Sequence, residues 1–186
     1  GIDPATISIK IDSGATITTG ITKTQNERGY SCEYTPTSAL NDGVHTVTFG
    51  VSDNDGNAAV ATDTTFTVDT VPPTLNVEAP VEGYITNDPD LTVSGTSNDT
   101  VSNPVTVKVN GKQVTVASNG SFSTVVELEE GENTITVIAT DAAGKSTTVT
   151  RTVTLDTTAP VIQSVTLAPN PVDAGNTYII TVAVGE

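Results

Sequence analysis

The stretch Val51–Leu75, VSDNDGNAAVATDTTFTVDTVPPTL, is nearly respelled by Ala139–Ile162, ATDAAGKSTTVTRTVTLDTTAPVI. Asp53 falls on Asp141, Gly56 on Gly144, Asp69 on Asp156 and Pro73 on Pro160, an offset of 88 residues that drops to 87 after one gap. The match runs backwards, with Leu40–Asp53 over Leu128–Asp141 and Tyr34 over Phe122. A period of this length is that of whole domains in tandem rather than of solenoid repeats.

Each unit reads as strands. TVTFGV and TITVIA alternate in period two, so Val47, Phe49 and Val51 share one face, as do Ile135, Val137 and Ala139. VTVKVNGKQVTV places Asn110-Gly111 between alternating flanks, the signature of a type I′ hairpin. VDTVPP and LDTTAP end strands with residues that cannot donate to a ladder, and read as linkers. No segment has a helical period. The expected fold is all-β: tandem immunoglobulin-like β-sandwiches with no significant helix.

The phase of the repeat divides the chain. In the complete unit, residues 73–159, TLNVEAP and DLTVSGT supply the first two strands and VTVKVN the third. The opening GIDPATISIKIDSG matches that third strand, with Ile9 over Val107 and Ile11 over Val109, so residues 1–72 read as a domain without its first two strands. Residues 160–186 read as the first two strands of a further unit. Half a sandwich exposes an unpaired edge. An arbitrary boundary of the sequence is the plainer reading of these two ends; the competing one is that the hairpin completes a first unit, within its own chain or in another copy.

Composition bounds the function. Seven Lys and Arg against 22 Asp and Glu give a net charge of −15, which repels nucleic acid and anionic lipid. No apolar run approaches the ~20 residues of a membrane span, and no stretch reads as a signal peptide. The chain has no methionine and reads as part of something longer. Its single cysteine, Cys32, lies in GYSCEYTP, where Tyr30, Cys32 and Tyr34 alternate onto one face; a buried, inert thiol is expected.

VKVNGKQVTV, NGSF, LEEGENTITVIATDAAGK and VTLDTTAPVI resemble the bacterial immunoglobulin-like domains of surface adhesins and modular secreted proteins. The resemblance implies a non-catalytic structural or adhesion module, spacing or projecting other domains at a bacterial or phage exterior. Two alternatives remain: a subunit that assembles by β-strand donation into a filament or virion part, and an accessory module of a secreted carbohydrate-active enzyme. The partners expected are neighbouring Ig-like domains, other copies by strand exchange, and a protein or glycan target, with no nucleic acid and no membrane insertion.

Two sets of oxygen ligands are candidates for Ca2+. DNDGN sets Asp53, Asp55 and Asn57 at alternate positions, without the downstream Glu of an EF-hand; a plain turn competes with it. The loop at Asp141 and the loop SNDTVSN with Asp99 should both meet the incoming linker at Asp69, making a three-carboxylate junction that repels itself without a cation. Family members that the chain resembles stiffen such junctions with calcium. Here the second loop, DAAGK, has no counterpart of Asp55 or Asn57 and adds Lys145. The lone histidine, His45, shares its repeat position with Asn133, so a bond to the turn's own backbone is expected rather than catalysis. Glu129-Glu130 sits in a solvated turn, and Tyr84 and Tyr178 lack the aromatic company of a sugar platform. No nucleophile–base pair is present, so no intrinsic enzyme is expected.

Overall fold

The computed structural model describes residues 1–168, 174–175, 177 and 179–185. All its regular elements are strands: β1 (Ile2–Ile11), β2 (Thr22–Asn26), β3 (Gly29–Glu33), β4 (Gly43–Asp53), β5 (Thr62–Val68), β6 (Thr74–Ala79), β7 (Tyr84–Thr86), β8 (Asp90–Asn98), β9 (Thr106–Val109), β10 (Lys112–Val114), β11 (Ser121–Glu127), β12 (Gly131–Thr140), β13 (Ser146–Leu155), β14 (Val161–Ala168) and β15 (Ile179–Gly185).

The second unit is a closed sandwich. One sheet has the order β10-β9-β12-β13-β7 and the other β11-β8-β6. Alternation drives it: in β8, Leu91 and Val93 point inward between exposed Asp90 and Thr92, and in β12 Ile135, Val137 and Ala139 do the same at 0–1% exposure. Valine and isoleucine suit this pleated, buried surface because their branched side chains are stiff and pack flat. Val77, Leu91 and Val93 from one sheet meet Val107, Val109, Val137 and Val153 from the other in one core. Asn110 and Gly111 turn the β9–β10 hairpin with φ of 46° and 80°, as the sequence predicts. Gly95 is needed for close approach, since a Cβ there would collide with the Asn76 carbonyl across the β6–β8 pair.

The repeat is visible as register. Val137 pairs with Val149 in β12–β13, and their repeat mates Phe49 and Thr62 pair in β4–β5. The third-strand alignment shifts by two residues. Ile9 pairs with Phe49 as Val109 pairs with Val137, so Ile9 stands over Val109 rather than Val107. The shift keeps the parity, and Ile7 and Ile9 are the inward residues at 5% exposure.

The first unit is open where the second is closed. β1-β4-β5 form one sheet and β2-β3 a separate hairpin. β3 ends at Glu33, so Tyr34 lies beyond it, whereas Phe122 is inside β11. The difference is one of pairing: β11 is held by seven register pairs to β8, while among the described residues β3 pairs only with β2. Phe49 is 40% exposed, against 0% for its mate Val137. Cys32 is half-buried rather than buried. β14 and β15 form a two-stranded sheet by themselves.

Truncating a side chain sealed in the second core leaves a cavity. Ile135→Ala is expected to destabilise that unit by about 2–5 kcal/mol in chemical denaturation, and Val47→Ala at the repeat-equivalent, half-open position by clearly less.

Candidate functional site: the junction of the two units

The linker brings Asp69 into the second unit. β5 ends at Val68, and Asp69 then caps its own turn, its Oδ1 accepting the Val71 amide at 3.1 Å. Its Oδ2 accepts the Ser102 hydroxyl across the junction. Pro73, fully buried, anchors the exit, and its carbonyl accepts the Thr147 hydroxyl at 2.6 Å. Asp99 Oδ1 accepts the amides of Val101 and Ser102 at 2.7 and 2.8 Å, folding its loop back toward the linker. Asp141 Oδ1 accepts the Lys145 amide at 2.9 Å.

Each aspartate thus spends one oxygen on shaping its loop. Oxygens of Asp69, Asp99 and Asp141 lie within 4.8 Å of one another, in residues only 9%, 7% and 6% exposed. Asp141 Oδ2 is buried and has no hydrogen-bond partner. Lys145 does not neutralise the group, because its side chain is exposed and only its amide meets Asp141. At an effective dielectric of about 20, two unit charges at this spacing repel by about 3–4 kcal/mol. A buried, unpartnered carboxylate oxygen beside two further carboxylates is a donor set for a hard cation. A cleft of about 210 Å3, lined by Asp69, Ser102, Asn103 and Ala142 among others, opens beside it.

The other candidate loop closes on itself. Asp53 Oδ1 accepts the amides of Asp55 and Asn57, and its Oδ2 accepts the Asn57 side-chain amide at 2.9 Å. These bonds, the Asn57 side chain first, hold the Asp53 carboxyl below its ordinary range. Asp55 and Asn57 are exposed, and Asp55 meets Asp53 through its backbone rather than its carboxylate. Tyr84 is 43% exposed, and Tyr178 lies outside the described residues.

Sequence reasoning missed a second device at the linkers. Thr70 donates to Asp42 from both its amide and its hydroxyl, each at 3.0 Å. Thr157, the repeat mate of Thr70, donates its hydroxyl to Glu130, the repeat mate of Asp42, at 2.7 Å. That hydroxyl, and then the Thr157 amide, hold the Glu130 carboxyl below its ordinary range. The available signal was the recurrence of an acid before Gly43 and Gly131 together with a threonine after Asp69 and Asp156.

His45 and Asn133 both bind their turn. His45 Nε2 lies 2.8 Å from the Asn41 carbonyl, and Asn133 donates to the Glu129 carbonyl at 2.7 Å, the repeat mate of Asn41. His45 Nδ1 faces Asp12 Oδ2 at 2.8 Å and the ring stacks on Phe66. An acceptor lies at each nitrogen, so the protonated ring satisfies both contacts by donating from each.

Residues 1–70 match the family model described as Bacterial Ig-like domain, and residues 73–157 the one described as Glucodextranase, domain B. Two successive domain models thus match the chain, and strand order and repeat agree with tandem immunoglobulin-like sandwiches similar to bacterial Ig-like domains. It is similar to Bacillopeptidase F of Bacillus subtilis (strain 168), 41% identical over 123 residues that make up 66% of this chain and 8% of that protein. It is also similar to the PI-type proteinase of Lactococcus lactis subsp. cremoris, 29% identical over 152 residues, 68% of this chain and 8% of that one. The chain thus spans a small part of either relative. Among solved structures, it resembles the Clostridium thermocellum CbhA fibronectin(III)-like modules at 18% identity and a TM-score of 0.44, covering 82% of this chain and 78% of that one. A tetra-tandem repeat from the extending region of a large adhesion protein is similar at 23% identity and a TM-score of 0.39, covering 98% of this chain and 56% of that one. Among the described residues no helix is long and apolar enough to cross a membrane.

The His45–Asp12 pair makes a pH prediction. The Asp12 carboxyl raises the histidine above its ordinary 6.5, and His45 lowers the aspartate below its ordinary 3.8. The histidine's contribution is complete below 6.5 and fades as pH rises through the raised value; the aspartate's is complete above 3.8 and fades as pH falls through the lowered one. The pair therefore stabilises most between these two values. An NMR titration of His45 should show a midpoint above 6.5, returning toward it in Asp12→Asn.

Proposed function

We propose that the chain is an accessory, non-catalytic spacer of a large extracellular bacterial enzyme, and that a calcium ion at Asp69, Asp99 and Asp141 stiffens its central joint. The joint supports the spacer role: Asp69 and Pro73 of the linker are buried against the second unit and bonded to Ser102 and Thr147. A linker held in this way keeps its neighbours at one orientation, whereas a free linker would let them swing. The relatives support the parent: two proteinases contain a similar stretch as a small fraction of their length. An accessory module of an enzyme accounts for that better than an adhesive tip does, and the glucodextranase domain model over residues 73–157 points the same way.

Asp69, Asp99 and Asp141 would hold the ion, with Asp141 Oδ2 as the donor that no protein group uses. Bound there, calcium would supply positive charge to three crowded carboxylates and join the linker to two loops of the second unit. The ion is structural in this reading and takes part in no reaction.

A melt with calcium and then with excess chelator tests it. Binding to the folded state raises the transition, by about 2.7 kcal/mol at a hundredfold excess over the dissociation constant. Asp141→Asn is expected to abolish the rise, and Asp53→Asn to leave it. No calcium-dependent shift in the parent chain would remove the ion from the proposal, leaving the Ser102 and Thr147 bonds to hold the joint. Small-angle scattering that shows freely swinging units in either condition would overturn the spacer reading.

A further inference from the structure

We propose that the groove between β6, β7 and the start of β8 is a docking slot for an extended peptide segment that carries basic side chains. The groove has a volume of about 430 Å3, and its lining includes Glu78, Pro80, Tyr84, Asp88, Asp90 and Thr92. It lies wholly within the closed sandwich, on the flank where the chain crosses from one sheet to the other.

The crossing leaves a strand edge uncovered. β6 pairs with β8 from Thr74↔Asn98 to Ala79↔Ser94, and the chain then turns away at buried Pro80. It continues as β7 at the rim of the other sheet, beside β13. On its opposite side β8 stays paired with β11 as far as Asp90↔Glu127. Among the described residues, Leu91, Thr92 and Val93 therefore have a partner strand on one side only. The Ser97 amide donates to the Gly120 carbonyl, toward β11. Backbone groups alternate sides along an antiparallel strand, so the Thr92 amide and carbonyl face the side that β6 has left. The main chain of an added strand is the partner that such an edge accepts.

Charge says what that strand carries. Glu78, Asp88 and Asp90 are exposed, and no Lys or Arg lines the groove. Among the described residues none of the three joins an ion pair. They also do not gather as the junction aspartates do, since only Asp69, Asp99 and Asp141 bring three such groups within 4.8 Å. Acids spread apart in this way suit several cations spaced along a strand better than one small ion. Tyr84, 43% exposed, adds a ring face on which a guanidinium packs. The free edge gives affinity for a strand, and the acids select a basic one.

The probe is a capped pentapeptide of alternating arginine and valine, titrated into the isotopically labelled 186-residue chain and followed by NMR. Saturable shifts are expected at the amides of Tyr84, Asp88, Asp90 and Thr92. Asp90→Asn and Glu78→Gln should each weaken binding by about twofold to fivefold, as for an exposed ion pair. Asp53→Asn, which removes the same charge elsewhere, should leave it unchanged. Methylating alternate peptide nitrogens, which leaves the protein intact, should weaken binding by about tenfold through lost main-chain bonds. Equal weakening by Asp53→Asn, or undiminished binding of the methylated peptide, would reduce the contact to general charge attraction and overturn the proposal. Shifts at these amides from a neutral gluco-oligosaccharide and none from the peptide would assign the groove to a glycan and overturn it too. The absence of shifts with both probes would do the same.

Discussion

A β-sheet with one apolar face is stable only when another layer covers that face, and every part of this chain follows from how it meets that demand. Residues 73–159 meet it internally, because their two sheets bring Val93 and Val137 together at 0% exposure. The strands on either side carry the same pattern without the same cover. Phe49 stands partly open, and β14 and β15 display Ile162, Val165 and Val182 to solvent. The sequence pattern is therefore periodic while the exposure is not.

The junction is governed by a second demand, that buried polar groups find partners. Asp69 and Asp99 meet it with Ser102 and with backbone amides, and Asp141 meets it with one oxygen of two. Polar bonds to Ser102 and Thr147 hold the linker together with the buried ring of Pro73. The braces Asp42–Thr70 and Glu130–Thr157 recur one period apart, so the turn before each linker is part of the joint.

Much of this was legible in the sequence. Alternation located β6, β8, β9 and β12, Asn110-Gly111 located a turn, and the convergence of Asp69, Asp99 and Asp141 followed from placing both loops at the pole where the chain enters. Other features were not legible. The register of β1 differed by two residues because period-two patterns look alike after a two-residue slip. The alignment of Tyr34 with Phe122 missed the end of β3, because strand length depends on a neighbouring strand that no local pattern encodes. The pairing of His45 with Asp12 joins residues 33 apart and leaves no periodic trace.

The short parallel pair of β7 with β13 has a mechanical meaning. The chain enters the second unit before β6 and leaves it after β13, and Val153, Thr154 and Leu155 run parallel to Tyr84, Ile85 and Thr86. A pull on the two ends draws these strands in opposite directions along their common axis. Their hydrogen bonds then share the load in shear and must break together, instead of opening one at a time like a zipper. A unit built in this way transmits tension through itself before it yields.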